Sequence, residues 1–414
     1  MKRIARLLCI VLLAAPAVAG DASESKVVDS MDDLSRWRNR NKSAMQLTAD
    51  AQPHEGRAAL SLKIKAGTRF LTAVRVSKPD PAWNAFDGLS FWVKGNGTGE
   101  VGSIAIQAGK WGNSWMAPIP LKNKEWHEVR IAWADFVPHS IRVPALGSVQ
   151  GFKPGNVTVI MVGAFLNRTV KHKMPGLAFS IDDLRLARGV RSRRPRLPLD
   201  KLRPLSEVVA KMKAGKPVTI LTVGDSITWG TNVGGNRNAY PAVLGKLLAA
   251  HYGNKSIRVV NRAIGGSTTS KHRFWLSRDV AGLEADLVTL MFGYNEKPRG
   301  SEVAKARAAY IANLVAYIEE AAGGMQTPPA VMPIAPIPGR KVNWAALDAY
   351  AEGVRELGRK QKTLSVIDAN GHFKALGMQR YQRYMSDEAH PNKSGQKEMA
   401  GVVFRAITGD EPPK

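Results

Sequence analysis

Cysteine is nearly absent. The 414-residue chain contains one, Cys9, which excludes a disulfide-stapled scaffold, a cysteine-rich zinc site and an iron–sulfur centre. Long apolar runs are missing too. Beyond the first twenty residues, nothing approaches the roughly 18 consecutive apolar residues that a membrane-spanning helix needs. Nor is the composition that of a disordered chain. A hydrophobic fraction of 44% is ample for packed cores, and at about 150 residues per domain the length implies two or three of them.

What is abundant is positive charge: 60 Lys+Arg against 34 Asp+Glu, a formal net charge of +26. Such an excess invites a nucleic-acid reading, but the N-terminus argues against it. Lys2, Arg3 and Arg6 precede an apolar run from Leu7 to Ala15, followed by Pro16-Ala17-Val18-Ala19-Gly20. A basic start, a short apolar stretch and an Ala-x-Ala ending predict a signal peptide over residues 1–19. The run is too short to span a bilayer of roughly 30 Å as a helix. An exported protein, periplasmic or extracellular, meets little nucleic acid, and with Cys9 removed its mature chain has no thiol.

The charge also has an address. Residues 20–187 carry +7, residues 217–414 carry +8, and the 29 residues 188–216 alone carry +8. That short stretch holds Arg188, Arg191, Arg193, Arg194 and Arg196 among Pro195, Pro198 and Pro204. Prolines stiffen and like charges repel, so a basic linker held off both domains is expected. No aromatics interleave with its arginines, as single-strand nucleic-acid binding would favour. An acidic polymer or surface is the better partner.

Residues 20–187 alternate apolar and polar positions in short runs, such as 58–64, 70–76, 89–93, 101–107, 128–133, 157–165 and 177–186. Period-two patterning at this spacing predicts an antiparallel all-β sandwich. Trp92 and Trp133 sit inside alternating runs and are expected in its core. Trp111 and Trp115 lie in the polar stretch Lys110-Trp111-Gly112-Asn113-Ser114-Trp115. There a flat ring beside amides suits a sugar, and packing is the alternative.

Beyond Lys216 the pattern changes to strand-then-helix. Strands are expected at 217–223, 256–261, 286–292, 329–334 and 364–369, with helices at 239–252, 302–322 and 343–361. Such alternation implies a parallel sheet covered on both faces, with sites at the carboxyl ends of its strands. The first strand runs directly into Gly224-Asp225-Ser226-Ile227-Thr228, the third ends in Gly293-Tyr294-Asn295-Glu296, and Asp387-Glu388-Ala389-His390-Pro391 follows near the C-terminus. A serine hydroxyl is a weak nucleophile that needs a base, and the base needs an orienting carboxylate. Ser226, His390 and Asp387 supply all three. Trp229 and Tyr240, just after the serine, are candidates to line a substrate cleft or to pack.

These blocks, in this order, resemble the SGNH (also called GDSL) hydrolases over nearly all of residues 217–408, an α/β class with a three-layer αβα fold and a mostly parallel sheet. The resemblance implies Ser226 as nucleophile. It also implies an oxyanion hole of the Ser226 N–H, the Gly266 N–H and the Asn295 amide, with Gly265 the rival of Gly266. Glu296 departs from the aspartate usual at that position. The N-terminal half, through Phe86-Asp87-Gly88-Leu89-Ser90-Phe91-Trp92, Glu125-Trp126-His127 and Ile181-Asp182-Asp183, resembles galactose-binding-like jelly rolls that serve as carbohydrate-binding modules. Such folds often hold structural calcium. Asp182 and Asp183 are then ligands or a solvated strand end, and no metal is assigned. The combined expectation is a secreted serine esterase acting without cofactor on an acylated polysaccharide, acetyl being the favoured acyl group. A lipid or short-acyl esterase with a structural sandwich, a non-catalytic polysaccharide-binding protein, and acyl transfer are the rivals.

Overall fold

The computed structural model describes residues 25–39, 41–67, 70–109, 114–138, 152–165, 176–280, 282–297, 302–340 and 345–413. The expected signal peptide and Trp111 lie outside them.

Two antiparallel sheets form the N-terminal half. Their strands are β1 (Ser25–Asp29), β2 (Trp37–Asn39), β3 (Met45–Asp50), β4 (Ala59–Ile64), β5 (Phe70–Val76), β6 (Gly88–Lys94), β7 (Val101–Ala108), β8 (Ser114–Pro120), β9 (His127–Ala132), β10 (Val137–Pro138), β11 (Val157–Phe165) and β12 (Leu177–Ala187). One sheet runs β3-β4-β12-β6-β9 with β1 beside β12; the other runs β10-β8-β7-β11-β5-β2. Strand alternation turns Leu60, Leu62, Phe91, Val93, Ile104, Ile106, Phe179 and Ile181 into the shared core.

Trp133 joins that core, its indole N–H bonded to the Phe86 carbonyl at 2.8 Å. Trp92 does not. The pleat puts it on the opposite face from Phe91 and Val93, where it is half-buried and stacked on His54 at 3.5 Å. Trp115 reverses the other way: it lies on β8, 7% exposed, tilted against Phe152 within the core. The strand starts at Ser114, so the loop reading of Trp115 fails and its ring is not offered to a sugar. Asp182 is not a solvated strand end. Fully buried, it accepts the His54 and Glu55 backbone N–H groups at 2.8 and 3.0 Å, while Asp183 pairs with Arg185.

The C-terminal half holds four parallel strands, β13 (Val218–Gly224), β14 (Ile257–Asn261), β15 (Leu287–Met291) and β16 (Ala330–Pro333), ordered β14-β13-β15-β16. The strand expected at 364–369 reduces to two isolated bridges, Val331 with Leu364 and Ile334 with Ile367. Helices Tyr240–Tyr252 and Lys393–Thr408 bury Leu244, Leu248, Met399, Val403 and Phe404 on one face of the sheet. Helices Val303–Gly323 and Ala345–Lys360 bury Tyr310, Leu314, Tyr317 and Val354 on the other. With β13 between β14 and β15, the loops after all three open at one edge of the sheet.

Residues 188–216 are not held off the domains. Leu199 and Leu202 are buried in the hydrolase core, and the helix Leu205–Lys213 buries Val208 and Met212 against the sheet. Several of its cations find acids: Arg194 bonds Glu320 at 2.8 Å and lies 3.6 Å from Asp135 of the sandwich, and Arg203 and Lys211 pair with Asp286. Burial pushes the Glu320 carboxyl upward, but the Arg273 and Arg194 guanidiniums outweigh it and hold it below its ordinary value. Like-charge repulsion, which predicted an extended tether, is offset at Arg194, Arg196, Arg203 and Lys211 because their partners come from other segments. Ile264, Phe274 and Trp275 of the C-terminal half also pack into the sandwich core, so the two halves share an apolar interface.

Candidate active site

Ser226 opens the short helix Ser226–Trp229 directly after β13, with Asp225 as its cap accepting the Ile227 N–H at 2.9 Å. The turn is tight because Gly224 has no side chain; a Cβ there would lie 2.4 Å from the Thr228 hydroxyl and 2.6 Å from the Met291 carbonyl. Gly230 ends the helix with φ 88°, a left-handed conformation that glycine adopts freely. The half-buried Ser226 hydroxyl is thus raised above the sheet edge.

The C-terminal block meets it there. His390 Nε2 lies 2.8 Å from Ser226 Oγ, and His390 Nδ1 lies 2.9 and 2.8 Å from the two oxygens of Asp387. Asp387 and His390 share one turn, closed by the Ser386 N–H on the His390 carbonyl at 2.8 Å. Burial pushes the Asp387 carboxyl upward, but the Ala389 N–H and the side-chain and backbone bonds from His390 outweigh it and hold it down at about 2. The carboxylate is therefore ionised throughout the neutral range. A serine, an imidazole and an anionic carboxylate in sequence are the parts that convert a hydroxyl into a nucleophile.

The two intermediate loops converge on the same point. Asn261 ends β14 and donates to the Thr228 carbonyl at 2.7 Å, and the Ile264 N–H bonds the Gly224 carbonyl at 3.0 Å. Gly266 follows, buried, with φ 69°. Asn295 Nδ2 donates to the Ser267 carbonyl at 3.0 Å and to Asp225 Oδ2 at 3.3 Å. The substituted position explains itself geometrically. Glu296, one methylene longer than aspartate, reaches across to the Thr269 N–H at 2.7 Å and to the Thr269 hydroxyl, binding the Asn295 loop to the Gly266 loop. Burial pushes its carboxyl up to about 7 against those bonds, and Asp225 is pushed up to about 6 by the same cause.

Of the four expected substrate-contact residues, none is presented as a free platform among the described residues. Tyr240 is fully buried, its hydroxyl 3.3 Å from Thr228 and its N–H on Gln396 Oε1 at 2.7 Å, which corrects the cleft reading. Trp229 is half-buried and lies over Gly235. Trp115 is in the sandwich core and Trp111 is outside the description. Sequence reasoning missed Asn232, whose side chain reaches Asp387, and Gln396, which is fully buried and ties the Ile227 carbonyl to the Tyr240 N–H. Neither lies in a motif that spacing alone marks.

Comparison with known proteins follows the same division. Residues 222–398 match the GDSL-like lipase/acylhydrolase family, and residues 15–176 match the family 11 carbohydrate binding domain. The C-terminal half is a GDSL-like acylhydrolase domain, a carboxylic ester hydrolase, joined to an N-terminal carbohydrate-binding domain. Over 214 residues the chain is 27% identical to an acetylxylan esterase of Geobacillus stearothermophilus, a match covering 47% of this chain and 96% of that protein. Among solved structures, an acetylxylan esterase from Geobacillus stearothermophilus aligns at 23% identity and TM-score 0.40, covering 46% of this chain and 94% of its own. A lipase/acylhydrolase from Enterococcus faecalis aligns at 22% identity and TM-score 0.38, covering 48% of this chain and 98% of its own.

Proposed function

We propose that the protein is an exported serine esterase that removes O-acetyl groups from a polysaccharide through a Ser226–His390–Asp387 triad and an acyl-enzyme. The observation that carries this reading is the unbroken hydrogen-bonded line from Asp387 through His390 Nδ1 and Nε2 to Ser226 Oγ. Ser226 attacks the ester carbonyl while His390 takes its proton. Asp387 holds the Nδ1–H tautomer and stabilises the imidazolium. His390 then protonates the leaving sugar oxygen, and water activated by the same imidazole hydrolyses the acetyl-Ser226 ester.

The developing oxyanion is received by the Ser226 and Gly266 N–H groups and by Asn295. The 3.3 Å contact from Asn295 to Asp225 is the weaker of its two bonds, so it is the one an oxyanion displaces. Each such donor is worth about 2.7–4 kcal/mol of transition-state stabilisation. The acetyl preference rests on the acetylxylan esterase relative, and the polymeric substrate on the attached carbohydrate-binding domain. Export is supported by the Lys2–Gly20 pattern and by the carbohydrate-binding domain match; no described helix is long and apolar enough to cross a membrane.

The test is acetate release from a panel of acetylated polysaccharides, xylan included, by the parent protein and by Ser226→Ala. The parent should release acetate, and the variant should lose turnover by at least about 10³-fold with an unchanged fold. Retained turnover in Ser226→Ala would overturn the assignment.

A further inference from the structure

We infer that Asn232 is a positioning residue for the Ser226–His390–Asp387 relay, holding the Asp387 carboxylate in place where burial does not. The inference rests on the serine-esterase reading above. The Asn232 side-chain amide donates to Asp387 Oδ2 at 2.6 Å, the shortest hydrogen bond to that carboxylate among the described residues. Among the described residues, every other bond to Asp387 comes from its own turn: the Ala389 and His390 N–H groups on Oδ1, each at 2.8 Å, and the imidazole it orients. The two backbone N–H groups fix one oxygen, and the imidazole, which reaches both, is the group being oriented. Asn232 fixes the other from a different segment, the loop that follows the nucleophile helix.

The need for such an anchor is visible in the exposure. The Asp387 side chain is 44% exposed and that of His390 18%. A carboxylate packed in the interior is oriented by its walls. One open to water rotates unless hydrogen bonds on both oxygens stop it, and a rotated Asp387 no longer selects the Nδ1–H tautomer that leaves Nε2 free to accept the serine proton.

The backbone explains the residue type. Asn232 has φ 68°, in the left-handed region where non-glycine residues are uncommon and asparagine is among the most tolerant. Glycine would meet the backbone demand without a donor. Aspartate would place a second negative charge beside Asp387. Asparagine meets both demands. Asn232 touches no reacting atom, so it acts through Asp387 alone.

The test uses Asn232→Gly and Asn232→Asp in the full chain, assayed on a chromogenic acetate ester, with Ser226→Ala alongside. Asn232→Gly should lower kcat about tenfold while KM stays within about twofold, because the lost bond serves the chemical step and not substrate contact. Asn232→Asp should lower kcat as well and move the acid limb of the kcat/KM profile to higher pH, since an added negative charge favours the imidazolium. If Asn232→Gly keeps kcat within about twofold of the parent and Asn232→Asp leaves the pH profile in place, while Ser226→Ala is inactive, the positioning role is refuted and the esterase reading stands. Should Ser226→Ala remain active, both fall together. If Asn232→Gly fails to fold, Asn232→Ala takes its place and is read by the same split between kcat and KM.

Discussion

The shared core between the two halves makes a strong claim about stability, and Trp275→Ala is the perturbation that measures it. Trp275 is 4% exposed, belongs to the C-terminal half, and is packed with Phe274 and Ile264 into the sandwich core. Truncating a buried tryptophan to alanine costs about 3–5 kcal/mol. The Arg278 guanidinium sits 4.2 Å over the same ring, and losing that partly buried contact adds about 1 kcal/mol. Arg278 also reaches Glu100 of the sandwich at 3.4 Å, so loosening it weakens an ionic contact across the interface. A total near 5 kcal/mol lowers the midpoint by about 10–20 °C at the 2–4 °C per kcal/mol usual for domains of 150–250 residues. Differential scanning calorimetry of the full chain reads this directly. The parent should unfold in one cooperative transition, and Trp275→Ala in two, sandwich and hydrolase apart. A single transition displaced by under about 2 °C would refute the reasoning, because a ring so placed would then carry no load between the halves. By the same logic, residues 217–414 alone would expose Ile264, Phe274 and Trp275 and strip Glu320 of Arg194 and Arg196.

Two further outcomes follow from buried polar groups and rings. Glu296 has its carboxyl raised to about 7 from an ordinary 4.5, so the folded state holds a proton that the unfolded chain releases; stability should fall as pH rises through this window, by about 3 kcal/mol when complete. Glu296→Gln should flatten that slope in denaturation midpoints at pH 5 and 8, and an equal slope in parent and variant would exclude Glu296 as its source. Trp115→Phe should lower the melting temperature while leaving retention on insoluble polysaccharide unchanged, since the ring is packed on Phe152; weakened retention at unchanged stability would restore the sugar-contact reading.

The legible part of this protein is the part written in short motifs and strong periodicity. Val218–Gly224 leads into Asp225-Ser226 as a fixed local sequence, and Asp387 and His390 share one turn, so three of the active residues were readable before any geometry. The strands Phe70–Val76 and Val157–Phe165 agree with the runs that period two predicts. What failed did so for identifiable reasons. Trp92 and Trp115 were assigned from neighbourhood, whereas a strand's face is set by register, and a shift of one residue exchanges inside for outside. Tyr240 follows the nucleophile by fourteen positions, but the helix it begins turns it inward against Thr228. Asn232 was invisible because its partner is 155 residues away.

The charge changes meaning most. An arginine-rich, proline-spaced run looks solvated because sequence displays its neighbours and hides its partners. In the fold, Glu320 with a side chain 1% exposed gathers Arg194, Arg196 and Arg273, while Asp286 gathers Arg203 and Lys211. A carboxylate that far from water is tolerated only with close cationic partners, and removing them would leave it buried and unpaired. These side chains therefore act as an ionic staple between the sandwich, the connecting segment and the hydrolase helix Val303–Gly323. The salt-sensitive pull on an acidic polymer, expected of a free basic tether, loses the Arg194, Arg196, Arg203 and Lys211 share of its source. What attraction the protein exerts comes from the excess spread over its two domains, +7 and +8, and from the exposed Arg191 and Arg193 of the segment between them.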